Sequence, residues 1–197
     1  MVELEITKTG ETGKIGENGE KTKVEYGEHY SRSGTGKKNK DGTSDNDGII
    51  RDGSQFENGK LKPNVTYQTG EYEYIYKTDS QGRITNWSTD DLHLTNRSNR
   101  LPHAPNTPDK IKGDHAGHLA GDRFGGSPKV DNLVSQTANV NLSQYKIIEN
   151  QWARAINNGK KVTTNVKMLY DDNSLHPKGF EIEYTIGEEA FYEKILN

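Results

Sequence analysis

The stretch "KGDHAGHLAGDRFGG", residues 112–126, packs Asp114, His115, His118, Asp122 and Arg123 among glycines and alanines. Most of the remaining chain is bland and polar, so this concentration of reactive types is the first place to look for chemistry. Two histidines three apart can share a metal ion, and Asp114 would add a carboxylate beside them. The chain has no cysteine and no His-Glu-x-x-His helix, which weakens a zinc reading. A lone histidine, with an ordinary pKa near ~6.5, can instead take a proton from water at neutral pH. A third reading is a polar loop with no chemistry. The stretch alone leaves all three open.

The elements that must position these residues follow from periodicity and turn chemistry. "NVTYQTGEYEYIYKTDSQGRITNWST" alternates apolar and polar residues, and Tyr72, Tyr74 and Tyr76 share one face at period two. Ser80-Gln81-Gly82 supplies a turn between two β-rich runs, so this segment is a β-hairpin. Pro102, Pro105 and Pro108 mark an irregular loop that leads into the histidines. "DNLVSQ", 131–136, reads as a short buried strand. In "ANVNLSQYKIIENQWARAINNGKK", Tyr145, Ile148, Trp152 and Ala155-Ile156 recur at helical spacing and form a core-facing stripe. Asn139 or Asn141 would cap the start. Asn157-Asn158-Gly159, followed by lysines, ends the helix. "KVTTNVKMLYDDNSLHPKGFEIEYTIG" reads as two strands joined by a polar turn, and "EEAFYEKILN" as a short terminal helix. The order hairpin, histidine loop, strand, helix, hairpin gives an α+β fold with an antiparallel sheet and one principal helix. It does not alternate strand and helix as a doubly wound fold would.

Composition bounds the rest. Only 29% of the 197 residues are hydrophobic, well below the usual share of a globular chain. The deficit concentrates in residues 1–60, where "TGETGKIGENGEKTK" and "SRSGTGKKNKDGTSDNDG" cannot bury enough apolar surface to offset ordering. The chain therefore divides into a glycine-rich segment, 1–63, partly flexible or in short strands such as "VELEIT", and a domain spanning 64–197. No run approaches the ~18 apolar residues of a membrane span, and the opening residues lack the pattern of a signal peptide. A formal net charge of -3 argues weakly against a polyanionic partner. Lys146, Arg154, Lys160, Lys161 and Lys167 nevertheless allow a local basic face.

At residues 113–149, "GDHAGHLAGDRFGG", "VDNLVSQ" and the start of "NLSQYKIIENQW" resemble the DNA/RNA non-specific endonucleases with a ββα-metal (His-Me finger) active site. They are most similar to the C-terminal nuclease domains of EsaD-type (LXG/YeeF-like) antibacterial toxins exported by type VII secretion. "YIYKTDSQGRI" upstream and "FEIEYTI" downstream share the likeness, which covers roughly 64–187. The family pattern is Asp-Arg-Gly-His, a strand beginning with Asn, and a helix with Asn and, eight residues later, Glu. The resemblance implies His118 as general base, Asn141 as metal ligand and Glu149 as the acidic residue acting through water. It sets Asn132 and Gln136 on polar positions of the strand before the helix. Two departures stand out. The arginine of the first motif is missing, and a position usually held by tryptophan is Tyr145.

Phosphodiester hydrolysis needs these types on its own account. A nucleophilic water must lose a proton, and charge on the phosphate and the departing oxygen must be stabilised. Mg²⁺, for which Mn²⁺ can substitute, keeps several waters and takes few protein ligands. If both are helical, Asn141 and Glu149 lie ~12 Å apart along the axis. Either Asn141 precedes the helix proper or Glu149 acts through water, and the second is favoured. Arginines suit bidentate binding of phosphate. Arg100 is the first choice as a catalytic clamp, and Arg97, Arg123 and Arg154, with Asn132 and Gln136, are candidates for substrate binding. Asp114 and His115 stay open among metal, substrate and structural roles. The small residues around His118 would leave room for a bulky polyanion.

The resemblance implies a metal-dependent, sequence-non-specific endonuclease cutting double-stranded DNA, with RNA as a further substrate. It implies a secreted toxin domain exported within a longer protein and active in the target-cell cytoplasm. It also implies a cognate immunity protein covering the site, and no membrane partner. A nutritional or DNA-uptake nuclease of the same fold, or a non-catalytic DNA-binding module, are the alternatives.

Overall fold

The computed structural model describes residues 47–197 and the two strand segments Gly13–Ile15 (β1) and Lys21–Lys23 (β2), which pair antiparallel. The stretch "VELEIT" lies outside the described residues. The strands that follow are β3 (Ile49–Ile50), β4 (Phe56–Glu57), β5 (Lys60–Leu61), β6 (Thr66–Thr69), β7 (Tyr74–Thr78), β8 (Ile84–Thr89) and β9 (His115–His118). A 3₁₀ turn at Asp122–Phe124, β10 (Leu133–Gln136), a π-helical turn at Val140–Gln144 and the helix α1 (Tyr145–Asn157) come next. The chain ends with β11 (Val162–Leu169), β12 (Gly179–Ile186) and β13 (Glu189–Leu196).

Seven of these strands build one sheet in the order β13-β12-β11-β8-β7-β6-β3, with burial alternating most clearly along β7, β11 and β12. Every neighbouring pair is antiparallel except β3 with β6, which is parallel, so the sheet is mixed at one edge. The expected hairpin is β7–β8. It turns at Gly82, whose φ of 74° puts it in the left-handed region that glycine tolerates. Val162, Thr164, Val166 and Met168 of β11 and Phe180, Ile182, Tyr184 and Ile186 of β12 are buried. The stripe Tyr145, Ile148, Trp152 and Ala155 of α1 is buried with them, in one core that also holds Tyr67, Tyr74, Tyr76 and Trp87. Trp152 meets Trp87, Phe124, Tyr145 and Tyr184 edge-on, the preferred geometry for aromatic quadrupoles. The fold is α+β with one principal helix.

Three local expectations are corrected. The terminal segment 189–196 is a strand, not a helix. Gly187, at φ 62°, reverses the chain after Ile186, and all eight residues of β13 then pair with β12. The histidine stretch is a strand and not a loop, because β9 pairs antiparallel with all of β10. Neither Asn139 nor Asn141 caps the helix: helical structure begins at Ala138 and runs through the π-helical turn into α1, Asn139 already has helical backbone angles, and Thr137 Oγ1 accepts from Val140 N at 3.4 Å in the capping position. Residues 47–63, before position 64, contribute β3 to the main sheet, and Gln55 Nε2 there donates to Asp131 Oδ2 at 3.0 Å.

Candidate active site

The β9–β10 ribbon and α1 form a small ββα unit laid against the large sheet. His118 closes β9 opposite Leu133. The next residue is fixed on both sides: Leu119 N donates to Asn132 O (2.9 Å), and Tyr145 Oη donates to Leu119 O (2.8 Å). Trp87 Nε1 in turn donates to Tyr145 Oη at 3.2 Å. Tyr145 therefore ties the first turn of α1 to the residue following the histidine. That connection gives the tyrosine a structural reason to stand where the family usually has tryptophan.

His118 is only 8% exposed, and its Nε2 is buried with no hydrogen-bond partner among the described residues. Burial, reinforced by the positive field of His103 and Arg100, pushes its pKa down to about 4. The ring is therefore neutral, and able to accept a proton, at neutral pH. Glu149, on the buried side of α1, is pushed the other way, up to about 7, by burial. Lys146 Nζ, 3.9 Å from its Oε2, and Arg123 and Arg100 offset that only in part. Arg100 is exposed, and its positive charge acts on His103, His118 and Glu149.

The remaining expected residues divide clearly. Asn132 is fully buried and uses all four of its hydrogen-bonding capacities. Its Oδ1 accepts from Tyr76 Oη (2.7 Å) and Ala120 N (2.9 Å), and its Nδ2 donates to Ala120 O (2.9 Å) and Ser127 O (2.8 Å). It clasps the loop after His118 and has nothing left for substrate. Gln136 is fully buried beneath Gly117, where a Cβ would stand 2.2 Å from its amide. Both amide atoms of Gln136 are buried without a hydrogen-bond partner among the described residues. Arg97 is held by Glu71 and by Asp122 Oδ1 (3.2 Å), so its guanidinium is engaged in fixing the loop. Asp114 accepts from Ile111 N (3.0 Å) and pairs with His176 Nε2 (3.0 Å), which ties β9 to the β11–β12 connection. His115 and His118 are three residues apart on a strand and so face opposite ways, which ends the shared-metal reading. Arg123 Nη1 donates to Asn150 Oδ1 at 2.6 Å. Arg123, Arg154, Ile147, Asn150, Ala153 and Asn157 line an open cleft of about 380 Å³ along α1.

The glycines around His118 also prove to serve the interior rather than a bound polyanion. A Cβ on Gly117 would strike Gln136, one on Gly121 would strike Glu149, and one on Gly126 would strike Ala120 O. The sequence does not mark His103, and it marks Asp122 only as a reactive type without a role. His103 comes edge-on to His118, with ring centroids 5.0 Å apart. Asp122 accepts from Leu101 N (3.2 Å) and thereby steers the loop that carries Arg100 and His103. The sequence holds no signal for His103 beyond the choice of that loop for Arg100.

Among the described residues, no three His, Cys, Asp or Glu side chains come together as a metal cluster. The groups present still fit a hard cation with few protein ligands. Glu149 is a buried carboxylate with incomplete charge compensation. Asn141 presents a half-buried amide from the π-helical turn, before α1 proper. A π turn widens the helix locally, and such turns recur at functional sites.

A ββα unit carrying an unprotonated buried histidine and a buried helical carboxylate defines the class, and comparison with known sequences agrees. Residues 63–188 match the DNA/RNA non-specific endonuclease family, and the chain belongs to that family. It is also 35% identical over 186 residues to the type VII secretion system protein EssD of Staphylococcus aureus strains USA300 and NCTC 8325 / PS 47. That alignment covers 89% of this chain and 26% of each relative, so the chain spans about a quarter of their length. No helix among the described residues is long and apolar enough to cross a membrane.

Proposed function

We propose that this chain is a Mg²⁺-dependent, sequence-non-specific endonuclease domain of a secreted antibacterial toxin. Its substrate is double-stranded DNA, with RNA as a second substrate. The observation that carries the reading is the pair His118 and Glu149 of the ββα unit, one buried and held neutral, the other buried and short of positive charge, with the charge of Arg100 acting on both. His118 accepts the proton of the attacking water. The water oxygen bonds to phosphorus as the bond to the 3′-oxygen breaks. Arg100 accompanies the phosphate as charge grows on its oxygens. Asn141, and Glu149 through water, would hold the divalent ion, which stabilises charge on the phosphate and the leaving oxygen when bound. Exposed Arg154 and half-buried Arg123 extend the contact along the α1 cleft, which suits backbone binding without base reading.

The relatives' type VII secretion supports export within a longer protein, action in the cytoplasm of a target cell and a cognate immunity protein covering the site. The decisive assay is plasmid degradation with Mg²⁺ or Mn²⁺. Wild type cleaves, and His118→Ala loses ~10²-fold or more. Inactivity of the wild type with both ions, or full activity of His118→Ala, sinks the assignment. Co-purification with the product of the neighbouring gene tests the immunity partner.

A further inference from the structure

His103 sits in an otherwise irregular loop, yet its position is built. On one side, Leu101 N donates to Asp122 Oδ1 at 3.2 Å. On the other, Ala104 N donates to Pro128 O at 2.9 Å. Pro102 and Pro105 restrict the backbone between and beyond these tethers. The tethers hold the half-buried imidazole against the ring of His118, with centroids 5.0 Å apart and planes at 64°. An edge-on aromatic contact of this kind favours one orientation of both rings. His118 Nε2 has no hydrogen bond to orient it, whereas a histidine base is ordinarily oriented by a bond from its other nitrogen. Something else must hold the ring, and His103 is in contact with it.

We infer that His103 is a positioning residue for His118, fixing the orientation of the base through ring contact in place of the missing hydrogen bond. This rests on the reading of His118 as the general base. The loop makes His103 more than a spacer. The charged groups acting on it are Arg100, Lys110 and Asp122, and those acting on His118 are His103, Arg100 and Asp122. When His103 is protonated, its charge opposes protonation of His118, so the contact also keeps the base free at lower pH.

The experiment compares wild type, His103→Ala, His103→Phe and His118→Ala with Mg²⁺ and a labelled duplex, measuring kcat, KM and their pH profiles. NMR titration of the His118 ring gives a readout independent of turnover. His103→Ala is expected to lower kcat about tenfold or more, with KM little changed, and to move the acid limb and the His118 titration to higher pH. His103→Phe keeps the ring contact and loses the charge. It is expected to recover most of kcat while retaining the displaced limb. Wild-type kcat and an unmoved titration in His103→Ala overturn the inference. So does a His103→Phe enzyme as slow as His103→Ala, which would put the imidazole itself on the substrate. An inactive wild type, or a fully active His118→Ala, instead overturns the function reading, and the ring titration still reads the effect of His103.

Discussion

The carboxylate of Glu149 lies directly against Gly121: a Cβ built on that glycine would stand 2.1 Å from Glu149 Oε1. Gly121 has φ -59° and ψ 153°, angles open to any residue, so backbone freedom is not why glycine is needed. It is needed because the acid comes from α1 and the loop after His118 must pass beside it. Gly121→Ala should therefore displace Glu149 without unfolding the protein, since the obstructed group is the end of a flexible side chain. The expected outcome is a loss of about tenfold or more in nuclease activity, with a thermal midpoint close to wild type. A fully active Gly121→Ala would mean that the position of Glu149 is immaterial.

Asn132 makes the opposite kind of prediction. Asn132→Ala removes one buried side chain that satisfies Tyr76, Ala120 and Ser127 together. Buried groups left unpaired cost about 1–3 kcal/mol each, so the variant should lose several kcal/mol in urea unfolding. Asn132→Asp should fare no better, because an ionised carboxylate cannot donate to Ala120 O and Ser127 O. Folded enzyme recovered at low temperature should bind DNA with an affinity close to wild type. A large loss of affinity with normal stability would restore Asn132 to the substrate surface.

What could be read in advance followed local rules. The β7–β8 hairpin, α1 and the β11–β12 pair each carry an uninterrupted period and recognisable turn residues, and each formed. The terminal strand did not announce itself, because Phe191 and Ile195, four apart, suit a helix face as well as alternate positions of a strand. Gly187 and the partner strand decide between them. "HAGH" has no β-branched residue, and its strand exists through long-range pairing with β10. In the site, residue types could be named but not their surroundings. A buried amide such as Asn132 reads equally well as ligand or clasp. His103 reaches His118 only through tethers to Asp122 and Pro128, which lie far from it in sequence.

Arg97 and Arg100 are close in sequence and should behave differently. Arg97 bonds Glu71 and Asp122, and its side chain is 24% exposed. Arg97→Ala should lower thermal stability and reduce activity only through the loosened loop. Arg100 is exposed, and its charge acts on the base and the acid. Arg100→Ala should keep its melting temperature and lose about 10²-fold in kcat. Melting curves beside turnover measurements check both, and equal behaviour of the two variants would remove the distinction.

His118 and Glu149 give the folded protein opposed pH dependences. Glu149 has its pKa raised from 4.5 to about 7, so its contribution is full below about 4.5 and is lost as pH rises through about 7. His118 is lowered from 6.5 to about 4, so its contribution is full above 6.5 and is lost as pH falls toward 4. Each gap corresponds to roughly 3 kcal/mol. Between about 4.5 and 6.5 the two nearly cancel in the metal-free protein, and the variants should uncover each alone. Glu149→Gln should gain stability, relative to wild type, as pH rises from 5 to 8. His118→Gln should gain, relative to wild type, as pH falls from 7 to 4.5. Mg²⁺ should stabilise wild type at pH 8, by relieving the buried carboxylate, and do so much less in Glu149→Gln. Urea melts across this range, with and without Mg²⁺, check all three. Parallel curves for the three proteins would show that neither group titrates away from its ordinary range on folding.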